Sequence, residues 1–386
     1  MKTEAYLGLD LGGTGVKAGV FDCSGALLGF GHRSYAPNVS KQGHVEIPID
    51  EIYTAARDAV RQAVRASNAR VLAMAISSQG QTFVTLDKND KPLHPAIVWY
   101  DSRAKKQAER LRQAIHGKSD RMLLIEAIAT APKIMWLREH FPKMMRNARR
   151  YLLLPDYLTY RLTGQAITDP NTASSTALFA EDAPTYDSAV LAAANIEERQ
   201  LAGILPCGSP VANVSSRIAD EWGLSSETIV VTGTNDQYAG ALGAGNCRPG
   251  ILTETTGTCL SLVTLTERLP EPLPSGLLGG RFPIKQYQFA LAYSKTAGVV
   301  LDWFRHELCK GESFDELSDM ATRVPIGSYG LTVIPHFDGM ISPFPGPDVR
   351  GMFAGLTLQH TRADIFRAIL ESLTFSLYEN IGFLKQ

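Results

Sequence analysis

Several short stretches of this chain set carboxylates and amides among small residues in orders that suit phosphate and sugar chemistry. Asp10 closes the apolar run Tyr6-Leu7-Gly8-Leu9 and is followed by Leu11-Gly12-Gly13-Thr14-Gly15 before apolar residues return. Glycine carries no Cβ, so such a turn admits a phosphate close to its backbone N–H groups. Asp10 beside it is a candidate Mg²⁺ ligand, directly or through water, and Lys17 is a candidate for steadying transferred charge. An ordinary glycine-rich hairpin with a surface lysine reads the same residues equally well. The pattern recurs at Thr256-Gly257-Thr258, inside the run 250–263, and internal repetition of this kind points to a duplicated unit. Two such turns could face each other and hold a polyphosphate. Asp236, in Gly233-Thr234-Asn235-Asp236-Gln237, stands where a strand gives way to a helix of small residues. The helix dipole favours its ionised form there, leaving it able to accept a proton; the plainer reading makes it only the helix cap.

Two further stretches suit a polyhydroxylated ligand. Ser77-Ser78-Gln79-Gly80-Gln81-Thr82 follows directly on the apolar run 71–76, and in α/β sheets ligands sit beyond the carboxyl ends of strands. A solvated turn is the alternative. Trp99-Tyr100-Asp101-Ser102-Arg103 ends another apolar run. Tryptophan offers a flat wall for CH faces, while Asp101 and Arg103 offer an acceptor and a fork of donors for hydroxyls. A helix cap with a surface arginine would account for the same residues.

The elements that must position these groups follow from periodicity. The first three runs read as a meander of strands, the third over 25–34. A helix follows from Ile49 with Asp50 as its cap and apolar residues at Ile52, Ala55, Ala56, Ala59, Val60 and Ala63. Residues 71–76 form a buried strand expected to run parallel to the first. Residues 83–97 read as a hairpin, 103–165 as mostly helical with one helix starting near Leu152, and 166–183 as a polar loop. Residues 227–232 form a buried strand, and the Gly/Ala-rich segment 239–245 suits close packing or a hinge. Strands at 250–263 and 286–293, a helix at 297–308, a strand at 330–335 and a long helix at 362–384 complete the chain.

The totals bound the answer. A chain of 386 residues with 45% hydrophobic and 20% charged residues is ordinary for a globular protein of two domains. A net charge of −1 provides no basic surface for nucleic acid. No apolar run is long enough to span a bilayer and no signal-peptide core is evident. Five scattered cysteines without a CxxC pair fit a reduced, cytoplasmic setting and no zinc site.

Taken together and in order, these motifs resemble the FGGY family of carbohydrate kinases, closest to its xylulokinase-like branch. Asp10-Leu-Gly-Gly-Thr14 is similar to the family's first phosphate motif, Trp99-Tyr-Asp101-Ser-Arg103 to its Trp-x-Asp-x-Arg, Gly233-Thr-Asn-Asp236-Gln to its catalytic segment and Thr256-Gly-Thr258 to its second phosphate motif. Thr130-Ala-Pro-Lys-Ile-Met-Trp136 and Leu154 to Gly164 resemble its helical insert, and Gly351 to Thr357 its late glycine segment. The resemblance implies an α/β fold of actin/Hsp70/sugar-kinase (ribonuclease H-like) architecture, with two duplicated domains around a cleft, 1–245 and 246–386, the second incomplete. It implies ATP as phosphoryl donor, Mg²⁺ as cofactor and a ketose or polyol as acceptor. Asp236 would be the general base; Gln79, Gly80, Gln81, Trp99, Asp101, Arg103 and Asp236 would line the sugar pocket. Gly12, Gly13, Thr14, Lys17, Thr256, Gly257 and Thr258 would hold the nucleotide, and Asp10 the metal. Xylulokinases carry Met-His where this chain has Gly80-Gln81, which leaves the sugar open. Relatives also continue past the long helix into segments that hold adenosine, so the expectation includes bare apolar surface on helix 362–384. A non-catalytic sugar-binding remnant and a chaperone-like ATPase are the rival readings. The sequence is compatible with a homodimer.

Overall fold

Alternating side chains in the strand Glu4–Leu11 bury Ala5, Leu7, Leu9 and Leu11 on one face, the pattern of a strand packed on one side. It pairs antiparallel with Gly15–Asp22, setting Asp10 opposite Lys17, and Gly15–Asp22 pairs with Leu27–Ser34. Arg70–Ser78 takes the other edge of the first strand, parallel as expected, with Asp10 opposite Ser77. Ile229–Val231 adds parallel to Arg70–Ser78, and Pro210–Asn213 closes the six-stranded sheet antiparallel. This computed structural model describes residues 2–118, 125–180, 184–257 and 259–385.

The helix Ile49–Ser67 lies over Gly15–Asp22 and Leu27–Ser34, burying Ile52, Ala56, Ala59, Val60 and Ala63. Pro48, not Asp50, stands at its cap; Asp50 sits in the first turn, where its charge still suits the dipole. A second sheet runs Asn38–Val39, Val45–Ile47, Pro92–Ile97, Phe83–Leu86 and Arg150–Leu153. Leu152 and Leu153, expected to begin a helix, are the end of that last strand; the helix starts two residues later than expected, Leu154–Thr163, because Pro155 tolerates only a first-turn position. It stops at Gly164, whose φ is 79°. Helices Lys105–Ile115 and Thr130–His140 pack on this sheet around Phe83, Ile97, Leu111, Ile134 and Leu137. The expected polar loop 166–183 holds a short strand, Ile167–Thr168, and a helix, Pro170–Ser174, capped by Asp169.

These elements belong to one unit, 2–239, and the rest of the chain, 240–385, forms a second. The division falls inside the helix Asp236–Gly243, a few residues before the expected boundary. The second unit has a four-stranded antiparallel sheet ordered Leu252–Thr256, Leu260–Thr266, Gln288–Ser294, Leu277–Arg281. Helices Gly298–Leu308, Phe314–Thr322 and Arg362–Leu384 share a core of Val300, Phe304, Leu317, Phe366 and Ile369. Thr332–Ile334 pairs with Met352–Ala354 in a separate two-stranded sheet. The helix Arg362–Leu384 leaves Phe375 and Tyr378 exposed, at 66% and 78%. Among the described residues no helix is long and apolar enough to cross a membrane, and the five cysteines are free.

Candidate functional site

The sheet of the first unit brings three of the sequence motifs to one edge. Glu4–Leu11, Arg70–Ser78 and Ile229–Val231 are parallel neighbours. Their carboxyl ends therefore open on the same side, where α/β sheets hold ligands. The register is close: Ser77 lies opposite Asp10, and Ser78 bridges Asn235. Asp10, the loop from Gln79, and Asp236 thus leave adjacent strands at the same level.

Asp236 is the first residue of the helix Asp236–Gly243. The capping bond comes from its neighbour: Asn235 Oδ1 accepts from the N–H of Gln237 at 3.1 Å. Asp236 Oδ1 also accepts from that N–H, at 2.8 Å, so its second oxygen is not needed for the cap. The helix dipole alone would favour ionisation. Burial outweighs it: the Asp236 carboxyl is pushed up to about 6, first by burial and then by the nearby negative charge of Asp10. The group remains ionised at neutral pH but is a far better base than a free aspartate.

The backbone sets this position. A Cβ on Gly233 would lie 1.9 Å from the Ile76 carbonyl oxygen, so only glycine lets the chain cross the strand there. Thr234 is buried and donates its hydroxyl to Asp169 Oδ1 at 3.1 Å. Asp169 also accepts from the N–H groups of Asn171 and Thr172, and burial pushes its carboxyl up to about 6. Sequence reading passed over Asp169; only its place before Pro170, a capping position, could have signalled it.

The Gly12-Gly13-Thr14 turn is tight, with Gly12 N–H donating to the Gly15 carbonyl at 2.9 Å. Gly15 is the glycine under constraint: a Cβ there would lie 2.7 Å from the Arg33 carbonyl oxygen. Tyr35 clamps the turn, its hydroxyl donating to the Gly12 carbonyl and its N–H to that of Thr14. Burial raises the Asp10 carboxyl while Lys17 opposes the rise. Lys17 itself is exposed. Gln79 extends from the central strand against this turn: it is 4% exposed, and a Cβ on Gly13 would lie 3.3 Å from its Oε1.

On the sugar side, Gly80 lies against Ser175 and Asn235, which joins the 77–82 loop to the Asp236 segment. Gln81 takes φ 62° at the centre of a turn closed by the Thr82 N–H on the Gly80 carbonyl, a left-handed conformation rare for glutamine. Trp99 is half-buried beside it, its N–H held by the Thr82 hydroxyl at 2.9 Å. The ligand contacts expected of Asp101 and Arg103 are occupied by protein groups. Arg103 forks onto both Asp101 oxygens at 2.9 and 2.6 Å and reaches Glu46 at 2.6 Å. Asp101 also accepts from Val45 N–H at 2.6 Å. Burial opposes the charge of Asp101, but these bonds together hold it below the ordinary range. Lys133, unforeseen as a site residue, is buried beside them and donates to the carbonyls of Val98 and Trp99, both at 2.8 Å. Burial pushes its ammonium down to about 7.

Among the described residues no group of three or more His, Cys, Asp or Glu converges on one point. Mg²⁺ in nucleotide sites takes most of its ligands from phosphates and water and only one or two protein carboxylates. Asp10, half-buried with Asp236 near it, supplies the one or two carboxylates such an ion needs, and the glycine N–H groups alongside suit the phosphates that would complete its shell. In the second unit Thr256 ends an edge strand, Gly257 N–H donates to the Cys259 carbonyl at 2.9 Å, and Gly298 N–H donates to that of Gly257 at 2.9 Å. Thr258 lies outside the described residues.

The pattern of the FGGY family of carbohydrate kinases, N-terminal domain, matches residues 5–243, and that of its C-terminal domain matches 256–386. The chain is 28% identical to a xylulose kinase of Staphylococcus epidermidis, over 100% of this chain and 78% of that protein. It is 28% identical to a gluconokinase of Bacillus subtilis, over 97% and 76%. The fold superposes on a ligand-bound xylulose kinase from Lactobacillus acidophilus with a TM-score of 0.84 at 22% identity, covering 99% of this chain and 78% of that one.

Proposed function

The chain belongs to the FGGY family of carbohydrate kinases, and from that premise we propose that it moves the γ-phosphoryl group of ATP to a hydroxyl of a xylulose-like ketose or a polyol, with Asp236 as the general base. The observation that carries this reading is the placement of Asp236 just beyond a strand of the sheet that holds Asp10, with only the strand Arg70–Ser78 between them, and with its carboxyl raised to about 6. A base of that strength is ionised at neutral pH and takes a hydroxyl proton more readily than an ordinary aspartate. Phosphoryl transfer otherwise depends on positioning and on charge neutralisation. Asp10 would hold Mg²⁺, which would neutralise charge on the phosphates. Gly13 and Thr14 offer N–H groups to the phosphates, the Gly12 N–H and Tyr35 hold the turn in shape, and Lys17 adds a cation. Thr256, Gly257 and Thr258 are assigned to the nucleotide by their resemblance to the second phosphate motif.

Trp99, Gly80 and Gln81 form the sugar-facing surface. Asp101, Arg103 and Lys133 act behind them: their bonds are made within the protein, and Lys133 fixes the carbonyls of Val98 and Trp99. The names of the relatives, xylulose kinase and gluconokinase, support an acceptor with several free hydroxyls on five or six carbons. Matches to both family domains favour an active kinase over a sugar-binding remnant.

The test is ADP release across a panel of ketoses, polyols and sugar acids that includes xylulose and gluconate. At least one member stimulates release, and Asp236→Asn abolishes the stimulation while the fold, read by circular dichroism, is retained. Nucleotide turnover indifferent to every panel member would remove the sugar-kinase assignment for this chain, and calorimetry with Mg·ATP separates a remnant from an enzyme awaiting its sugar.

A further inference from the structure

The buried amide of Gln79 has no use in the protein's own packing. Its backbone is spoken for: the N–H donates to the Leu11 carbonyl at 3.2 Å. Its side chain is buried, yet neither Oε1 nor Nε2 has a protein partner. A carboxamide carries two donors and an acceptor with two lone pairs, and burying it unpaired is costly. Packing alone would be better served by methionine or leucine. The amide is therefore kept for a group that arrives.

Its surroundings say which group. Gln79 follows the central strand of three whose ends carry Asp10 and Asp236 on either side. Its side chain leans on Gly13 in the turn, where a Cβ would stand 3.3 Å from Oε1. The next two residues of the loop have other neighbours: Gly80 lies against Ser175 and Asn235, and the Gln81 carbonyl accepts from the Thr130 hydroxyl. We propose that Gln79 binds the phosphoryl group in transit, its Nε2–H groups donating to a terminal phosphate oxygen held by the Gly12-Gly13-Thr14 turn, and that it belongs to the donor's site and not to the sugar's.

A neutral amide suits that position. It donates to an oxygen whose charge grows or spreads during transfer, and it adds no charge between two carboxylates. Because its bonds go to the terminal phosphate, it distinguishes ATP from ADP. This rests on the kinase reading, but the test below does not require the sugar to be known.

The experiment uses the full chain and its Gln79→Met and Gln79→Glu variants, with Mg·ATP and Mg·ADP as the probes, measured by calorimetry. Wild type binds Mg·ATP more tightly than Mg·ADP. Gln79→Met weakens Mg·ATP by about tenfold, the size of one hydrogen bond to a charged group, and leaves Mg·ADP within twofold. Gln79→Glu, which sets a carboxylate against the phosphate, weakens Mg·ATP further. Thermal melting shows Gln79→Met folded, so a loss is not one of structure. If the ATP-to-ADP preference is the same in Gln79→Met as in wild type, or if wild type shows no such preference or no nucleotide binding, the assignment is overturned. If the preference is kept and a sugar that stimulates ADP release binds the Met variant more than tenfold more weakly, Gln79 belongs to the sugar and the assignment is equally overturned. Absence of any stimulating sugar would count against the kinase reading alone.

Discussion

The two units contain the same local pattern, an apolar run, a glycine–threonine turn and a second apolar run, and make different objects of it. In the first unit the strand Glu4–Leu11 has a partner on each edge, alternates cleanly between buried and exposed, and ends in a turn clamped by Tyr35. In the second, Leu252–Thr256 has one partner and leaves Glu254, Thr255 and Thr256 exposed. The lesson is that a central strand fixes a carboxylate in place, whereas an edge strand presents hydroxyls and N–H groups that can adapt. Chemistry that needs a base within hydrogen-bond reach belongs to the first; chemistry that needs only donors near a charged group can be left to the second.

Loss of activity should show this contrast at its largest. Asp236→Asn is expected to lower sugar-stimulated ADP release by about 10²–10⁴-fold, the usual worth of a positioned base. Thr256→Val, which removes one hydroxyl, should cost about tenfold. Equal losses in steady-state assays would erase the distinction. Stability is next. Arg103→Leu leaves Asp101 buried and uncompensated and should cost about 3–5 kcal/mol in urea unfolding. Arg268→Leu in the second unit breaks an ion pair whose side chains are 82% and 81% exposed, and should cost less than about 1 kcal/mol.

Glycine substitutions sharpen the comparison at smaller scale. Gly15→Ala and Gly233→Ala drive a methyl into the backbone, at 2.7 and 1.9 Å, and should destabilise by about 1–3 kcal/mol or more. Gly257 has open space around its Cβ position and no positive φ, so Gly257→Ala should leave the melting temperature unchanged or slightly raised. A large loss there would mean the second turn is as constrained as the first.

The pH dependence of stability should differ in sign between the units. Asp169 in the first is pushed up to about 6, by burial. A carboxyl raised in the folded state contributes stability that is complete below its unfolded value, near 3.8, and lost as pH rises through 6. Asp169→Asn, which keeps the cap, should therefore stabilise at pH 7 by about 1–3 kcal/mol, and the gain should vanish by pH 4. In the second unit Asp364 is the reverse. Burial works against its charge, but the hydroxyl and N–H of Thr361 outweigh it and hold it below the ordinary range. Its contribution is present at neutral pH and lost as pH falls through its folded value, so Asp364→Asn should destabilise at pH 7. Unfolding curves between pH 4 and 8 test both signs.

Much of this was legible from residue order alone. The strand at 71–76 was expected parallel to the first, and it is, because a continuous apolar run after a helix signals a buried crossover strand. The motifs Asp10–Gly15, Ser77–Thr82 and Gly233–Gln237 were recognised as strand ends for the same reason. What escaped was pairing across long separations. Asp101 meets Val45 from 56 residues away, Thr234 meets Asp169 from 65, and Lys133 meets Val98 from 35. No local periodicity encodes such partners, so the protein bonds of Asp101 and Arg103 were not foreseen, Lys133 read as an ordinary helix residue and Asp169 as part of a polar loop. The position of the cap was missed by one residue, since Asn235 and Asp236 are equally good capping types and only the backbone path decides between them.

The contact of Gly233 with the Ile76 carbonyl has a consequence for how this kind of protein can diversify. The segment that leads to Asp236, the proposed base, crosses its neighbouring strand main chain against main chain, and the bonds that hold it, from Thr234 to Asp169 and from Gln237 to Asn235, come from residues other than Trp99 and Gln81. The Trp99 side chain takes no part in that crossing, so replacing it can reshape the surface beside the carboxylate without shifting the carboxylate itself, whereas Gly80, where a Cβ would stand 2.6 Å from Ser175 Oγ, leaves little room for change.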